Sequence, residues 1–337
     1  MKTKLGLLVI LIGIASSCTT EKRTLRNEYT VVSYNVENLF DTVDDPTIPD
    51  EEFLPESDKE WTAERYQKKL NDLAEVISEV NPKELPEIVG LVEVENQTVL
   101  EDLIHTAKLN NQYAIIHEES PDYRGIDVAL IYRKDAFTEV MHEVLAVTFP
   151  EDPDFKTRDI LYVTGKIRNK TVHLFVNHWP SRIGGDEKTE PKRVLAASVL
   201  KNKVDQVLSL DPNARIIIMG DMNDEPANKS LEQILGAQSP DSGATLVNLM
   251  MPDDLLQLGT YSYKGNWNML DNLVVSGNLI SGKRMQVEGH KGFVFSQDWM
   301  IYTSSKGDQS PNRTYVGKKY VAGVSDHFPV YFKMKVK

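Results

Sequence analysis

The chain has 337 residues, with 50 acidic against 38 basic side chains and a formal net charge of −12. That balance excludes nucleic-acid binding through the global field, so a polyanion has to be met by a local basic patch or a metal ion. The only cysteine, Cys18, cannot form an intrachain disulfide.

The N-terminus reads as a targeting segment. Lys2 and Lys4 precede the apolar run Leu5–Ile14, then come small Ala15, Ser16 and Ser17, and then Cys18. The run is too short to span a bilayer and fits a signal peptide over residues 1–17. A lone cysteine behind small residues resembles a bacterial lipoprotein cleavage site, with Ala15 standing where a large aliphatic residue is usual. The expectation is an exported lipoprotein of a bacterial cell envelope, anchored in the membrane through lipidated Cys18, with residues 18–28 as a polar tether. No later stretch is apolar enough to span a membrane. No linker, repeat or low-complexity tract divides residues 29–337, which points to one domain although the length suggests two. Nothing indicates an obligate protein partner.

Tyr29–Asn35 alternates apolar and polar residues and reads as a strand ending at Asn35. Asp41–Asp58 is acidic and contains proline, so it reads as a surface loop. In Trp61–Val80, Tyr66, Leu70, Leu73, Ile77 and Val80 recur at helical spacing behind Thr62 as N-cap, and Asn81-Pro82 ends the helix. Residues 87–96 read as a buried strand whose apolar run is followed by Glu93 and Glu95. A carboxylate there is costly without a cation or donors, and Glu95 is expected in solvent. A helix over 97–109 and a strand over 113–117 follow. Strands are then expected at 123–133, which holds a lone Asp127, and near 138–147, 161–166 and 171–177. Arg158 stands at a strand entrance, with Asp159 beside it as a salt-bridge partner. The strand over 171–177 ends in Asn177, His178, Ser181 and Arg182. Thr189–Leu210 reads as a helix with Pro191 in its first turn and a buried stripe of Ala196, Leu200, Val204 and Val207.

The apolar run Ile216–Met219 stops at Gly220, as a buried strand entering a tight turn does. Asp221 and Asn223, two residues apart, share a face. They offer a carboxylate that can take a proton or hold a cation and a carboxamide that both donates and accepts. A helix near Asn228–Leu235 follows. Asp271 is set into an apolar strand that starts at Met269, and a carboxylate there needs a partner. Residues 281–322 are loop-rich and locally basic, and Asp326-His327 precede a final strand, Val330–Met334.

Taken singly, each of these polar residues has a mundane reading as turn chemistry or a structural histidine. Taken in order, the stretches SYNVENLF, GLVEVEN, RGIDVALIYR, NHWPSR, GDMND, WNMLDNLVV and SDHFPV resemble the endonuclease/exonuclease/phosphatase superfamily, with its deoxyribonuclease I-like fold. The resemblance runs from about residue 30 to the C-terminus. It implies an α+β fold, a four-layer α/β/β/α sandwich of two packed mixed sheets with outer helices, and a site at one edge where strand ends meet. It also implies hydrolysis of a phosphoester with Mg²⁺, or Mn²⁺ as the alternative. Acid–base help contributes about 10²–10⁴-fold. Phosphoester hydrolysis needs far more, so a metal and fixed donors have to supply the rest.

By matching motif, Glu93 would hold the metal, with Asn35 and Asp326 assisting. Asp221 would orient or deprotonate the attacking water, and Asn223 would hold a phosphate oxygen. His327, held by Asp271, would bind the phosphate and stabilise transition-state charge. His178 would also bind it, with Asp127 as orienting partner, and Arg158 and Arg182 would contact substrate. Whether Asp221 or His327 is the base stays open. NHWPSR and SDHFPV look most like bacterial extracellular nucleases, so a nucleic-acid phosphodiester is the expected substrate. A lipid or inositol phosphate is the alternative, and a catalytically silent binding protein the remote one.

Overall fold

A computed structural model describes residues 26–256 and 258–337. The signal peptide, Cys18 and most of the tether lie outside the described residues. β1 (Glu28–Leu39) is followed by α1 (Ala63–Val80), whose N-cap Thr62 accepts from the Arg65 amide, and by β2 (Ile88–Val94), parallel to β1. Parallel neighbours need such a crossover. α2 (Gln97–His105) leads to the antiparallel strands β3 (Tyr113–His117) and β4 (Asp127–Arg133). β5 (Phe137–Leu145), β6 (Ile160–Ile167) and β7 (Lys170–His178) form an antiparallel meander that opens a second sheet. α3 (Asp186–Leu210) then crosses over to β8 (Ile216–Asp221), parallel to β7.

β9 (Ala237–Gln238), β10 (Leu246–Asn248) and the short α4 (Met251–Leu255) follow, then the hairpin of β11 (Tyr261–Tyr263) and β12 (Asn266–Asn268). β13 (Asp271–Ser276) inserts between β8 and β10. After α5 (Asn278–Ser281), β14 (Met285–Val287) and β15 (Phe293–Val294) return to the first sheet. Two further hairpins, β16 (Ile301–Thr303) with β17 (Gln309–Pro311) and β18 (Tyr315–Val316) with β19 (Lys319–Tyr320), precede β20 (Val330–Val336). The first sheet has the order β14-β20-β1-β2-β4-β3, with β15 also on β20, and the second β5-β6-β7-β8-β13-β10-β9.

Side chains alternate between faces along each strand, and this sorts the core into three layers. Val31, Ile88, Leu130, Leu174, Ile217, Leu273 and Phe332 fill the space between the sheets. Their neighbours Val32, Val89, Leu91 and Ile131 face outward onto Leu70, Leu73 and Ile77 of α1 and Leu100 and Leu103 of α2. Ile216, Ile218 and Phe175 meet Ala196, Leu200 and Val204 of α3. The result is the four-layer α/β/β/α sandwich. The sheets pack closely: a Cβ at Gly90 would lie 2.6 Å from Met219 Sδ.

Several local expectations are corrected. β1 continues past Asn35 to Leu39 through an irregular register, with Glu37 and Asn38 at φ +53° and +50°. α3 starts at Asp186, not Thr189, so Pro191 sits beyond the first turn; Asp186 and Glu187 suit the positive end of the helix. α2 stops at His105, and the helix expected near 228–235 is a π-helical turn over Ser230–Leu235.

Candidate active site

Parallel strands end at one edge, and antiparallel neighbours begin there. Asn35, Glu93, His178 and Asp221 therefore lie toward the C-terminal ends of β1, β2, β7 and β8. Asp271 opens β13, and Asp326 and His327 lead into β20. Register brings three of them side by side: His178 is paired with Asp221, and Asp221 with Asp271. Gly220 makes this possible, because at its φ of +139° a Cβ would fall 2.0 Å from the Asn177 carbonyl oxygen.

Asp221 is the hub. Its Oδ1 accepts from the Asn223 backbone N–H at 2.8 Å and its Oδ2 from Asn35 Nδ2 at 3.1 Å. The same Oδ2 faces His178 Nε2 at 3.7 Å and His327 Nε2 at 3.8 Å. Burial pushes the Asp221 carboxyl up to about 7. Behind His327, Nδ1 lies 2.7 Å from Asp271 Oδ2, the contact that the family resemblance implied. Burial disfavours charge on His327, yet the Asp271 and Asp221 carboxylates hold its pKa well above the ordinary imidazole value. The Tyr261 ring packs 4.9 Å from it, centroid to centroid. His178 is the opposite case. Burial, then the Arg158 and Arg124 charges, push its pKa well down, and its Nδ1 has no partner among the described residues.

Glu93 sits at φ +67°. Its Oε2 accepts from the Asn38 N–H at 3.0 Å, and its Oε1 stands 3.7 Å from His178 Nε2. Asn35 Oδ1 accepts from the Glu37 N–H at 3.0 Å. Asn223 at φ +50° donates through Nδ2 to the Trp179 carbonyl at 3.0 Å. Left-handed backbone at Glu37, Asn38, Glu93 and Asn223 stores strain of the kind that collects at functional sites. Asp326 is part-exposed, 3.8 Å from Arg313 Nη2.

The residues present fit a hard divalent cation. Glu93, Asp326 and Asn35 offer oxygen donors. The edge also carries surplus negative charge: burial, then Asp326, push buried Glu37 up to about 7. Among the described residues, two groups of His and carboxylate side chains bring ligand atoms within 4.8 Å of one another, Asp221–Asp271–His327 and His117–Glu119–Asp127.

Three substrate-side expectations change. Asp127 does not orient His178. Its Oδ2 lies 3.2 Å from His117 Nε2, and its Oδ1 accepts from the Ser120 N–H at 2.9 Å, because the hairpin of β3 and β4 places these groups together. Arg182 bonds to the protein: Nε donates to the Asn223 carbonyl at 2.7 Å and Nη2 to Asn228 Oδ1 at 2.8 Å, so it braces the turn that carries Asn223. Arg158 is buried with Asp122, not Asp159, as its carboxylate partner at 2.9 Å, and it donates to the Trp179 carbonyl at 2.8 Å. Glu95, expected in solvent, is buried, accepts from the Asp41 N–H at 2.7 Å, and burial pushes it up to about 8.

Sequence reasoning missed the supports. Lys69, fully buried on α1, donates to Thr314 Oγ1 and the Val324 carbonyl and stands 4.0 Å from Glu37. Ser325 Oγ donates to the Asn35 carbonyl and accepts from the His327 N–H. Only the lysine had a signal, as a cation one position from a leucine of the buried stripe.

The endonuclease/exonuclease/phosphatase family model matches residues 30–336. No curated protein matches the sequence. Among solved structures, an endonuclease/exonuclease/phosphatase family protein from Bacteroides thetaiotaomicron is 18% identical, with 92% of this chain and 95% of that chain covered and a TM-score of 0.57. A mannosyl-6-phosphatase of the same species gives 18% identity, 91% and 99% coverage and a TM-score of 0.58. D. rerio TDP2 complexed with a single-strand DNA product gives 13% identity, 91% and 98% coverage and a TM-score of 0.58. At these identities the likeness to solved structures is one of fold. The family match is broader in meaning, since it runs from the first strand of the sandwich to the last: the chain belongs to the endonuclease/exonuclease/phosphatase family, whose activity is phosphoester cleavage.

Proposed function

We propose that the protein is a Mg²⁺- or Mn²⁺-dependent phosphoesterase in which Asp221 takes the proton of the attacking water and His327 stabilises charge on the phosphoryl group. The observation that carries this reading is the pair of imidazole Nε2 atoms facing one carboxylate oxygen, with Asp271 behind only one of them. A carboxyl held near 7 is a competent base close to neutral pH. His327, kept protonated by Asp271, donates from Nε2 to a phosphoryl oxygen. His178, kept neutral, adds a hydrogen bond without adding charge. Asn223 keeps its second amide hydrogen for the substrate. Glu93 and Asp326, with Asn35 beside them, would hold a cation that neutralises charge on the phosphoryl oxygens.

The motifs NHWPSR and SDHFPV support a nuclease. The net charge of −12 favours a small phosphoester over a long polyanion, and we take the small ester as the first reading and the nuclease as the second. A panel of DNA, RNA, sphingomyelin, inositol phosphates and sugar phosphates, each with and without Mg²⁺, tests both. Turnover that survives excess chelator would overturn the metal assignment, and no turnover of any member would overturn the enzyme. We also propose export and anchoring through Cys18, supported by the apolar run and small residues before it. Unchanged membrane association of Cys18→Ser on cell fractionation would refute the anchor.

A further inference from the structure

Beside the catalytic edge, the hairpins β11–β12, β16–β17 and β18–β19 wall a cleft of about 480 Å³. That is the size of a pocket for one small molecule. The cleft starts where the candidate site ends. Ser262 in its wall follows Tyr261, whose ring lies against His327, and Arg313 in its wall reaches Asp326 at 3.8 Å. A substrate whose phosphoryl group meets His327 would extend past Tyr261 into it.

The charge of the cleft runs against that of the chain. Its wall holds Lys264, Arg313 and Lys319 against a single carboxylate, Asp308, in a protein of net charge −12. Arg313 is turned toward Asp326. Lys264 and Lys319 have no carboxylate within ion-pair distance among the described residues; Lys264 lies 5.0 Å from the Tyr263 ring centroid. Lys264 also holds the left-handed position of its hairpin turn at φ +52°, a backbone site that disfavours any residue with a Cβ. Asn312 supplies an amide group, Tyr302 lends an exposed ring, and the Ser262 hydroxyl in the wall donates to the Gln309 carbonyl at 3.2 Å.

We propose that this three-hairpin cleft is a second-anion subsite. It takes the far end of a small polyhydroxylated phosphoester that carries another phosphate beyond the one cleaved, with Lys264 and Lys319 as its recognising cations. The confined volume and the acidic surroundings select a small molecule over a nucleic-acid strand. The inference rests on the phosphoesterase reading.

The test compares kcat/KM for glucose 6-phosphate and glucose 1,6-bisphosphate with Mg²⁺ in the full chain. The unmodified protein is expected to favour the bisphosphate by about tenfold or more, beyond the twofold statistical advantage of two esters. Lys264→Ala/Lys319→Ala should collapse that ratio, whereas Lys306→Ala, an exposed cation outside the cleft, should not. A ratio near two in the unmodified protein, or one that survives the double substitution, overturns the subsite. A short single-stranded oligonucleotide that is preferred to the bisphosphate, and loses that preference in the double variant, overturns the small-molecule assignment. If no ester is turned over, bis(p-nitrophenyl) phosphate included, the phosphoesterase reading fails. Calorimetric binding of glucose 1,6-bisphosphate then judges the subsite alone: about tenfold weaker binding in the double variant supports it, and equal binding refutes it.

Discussion

His178 and His327 stand almost equally far from Asp221 Oδ2, at 3.7 and 3.8 Å, and both are buried. They differ at the other ring nitrogen. His327 Nδ1 has Asp271 at 2.7 Å, and the ring is held charged. His178 Nδ1 has no partner among the described residues, and burial, then two arginines, push the ring's pKa well down. Two imidazoles facing one oxygen thus hold opposite charge states. What decides the state is the group behind the ring, not its place on the sheet edge.

The strongest way to break this contrast is to remove the paired histidine. His327→Ala is expected to lower kcat/KM by about 10³-fold and Asp271→Asn by somewhat less. The double variant should lose no more than His327→Ala alone, because the two act as a unit. Losses that multiply would make Asp271 a structural carboxylate.

A smaller loss, about 10²-fold, is expected for His178→Ala, and its pH profile sharpens the contrast. Asp221 is a base only when ionised, so kcat/KM should rise as pH passes about 7. The protonated form of His327 is lost only well above the ordinary imidazole range, which gives a falling alkaline limb. His178→Ala should keep both limbs, while His327→Ala should remove the alkaline one. An alkaline limb that persists without His327 would assign it to another group.

The smallest effect is expected at Asp127. Because it bonds to His117 and not to His178, Asp127→Asn should change kcat/KM by less than about twofold, while costing about 1 kcal/mol of stability in denaturant unfolding. A loss matching that of His178→Ala would restore Asp127 as an orienting partner.

The layers were legible because alternation and helical spacing report burial directly, as in Val31 and Val32 or the stripe of α1. That Asp271 needs a partner was legible, because a carboxylate in an apolar strand demands a donor; His327 as that partner came only from the resemblance carried by SDHFPV. Partners set by neighbouring strands and loops were not. Asp159 adjoins Arg158 in sequence, yet it bonds to the Val147 N–H, while the arginine finds Asp122. Lys69 went unread, because nothing local to its helix shows that residues 314–324 come back to cover it.

The place of β20 has a consequence for synthesis. It pairs with β1, with Glu28 opposite Lys335 and Ser33 opposite Val330, and it follows directly on His327. During translation β1 is made early and waits for this neighbour until residues 330–336 have emerged. Until then it presents an open strand edge, which invites pairing with other chains. Contacts of such long sequence separation also form slowly. A nascent chain ending before Asp326 would carry Asp221 and Asp271 without the imidazole between them, so catalytic competence and closure of the first sheet arrive together.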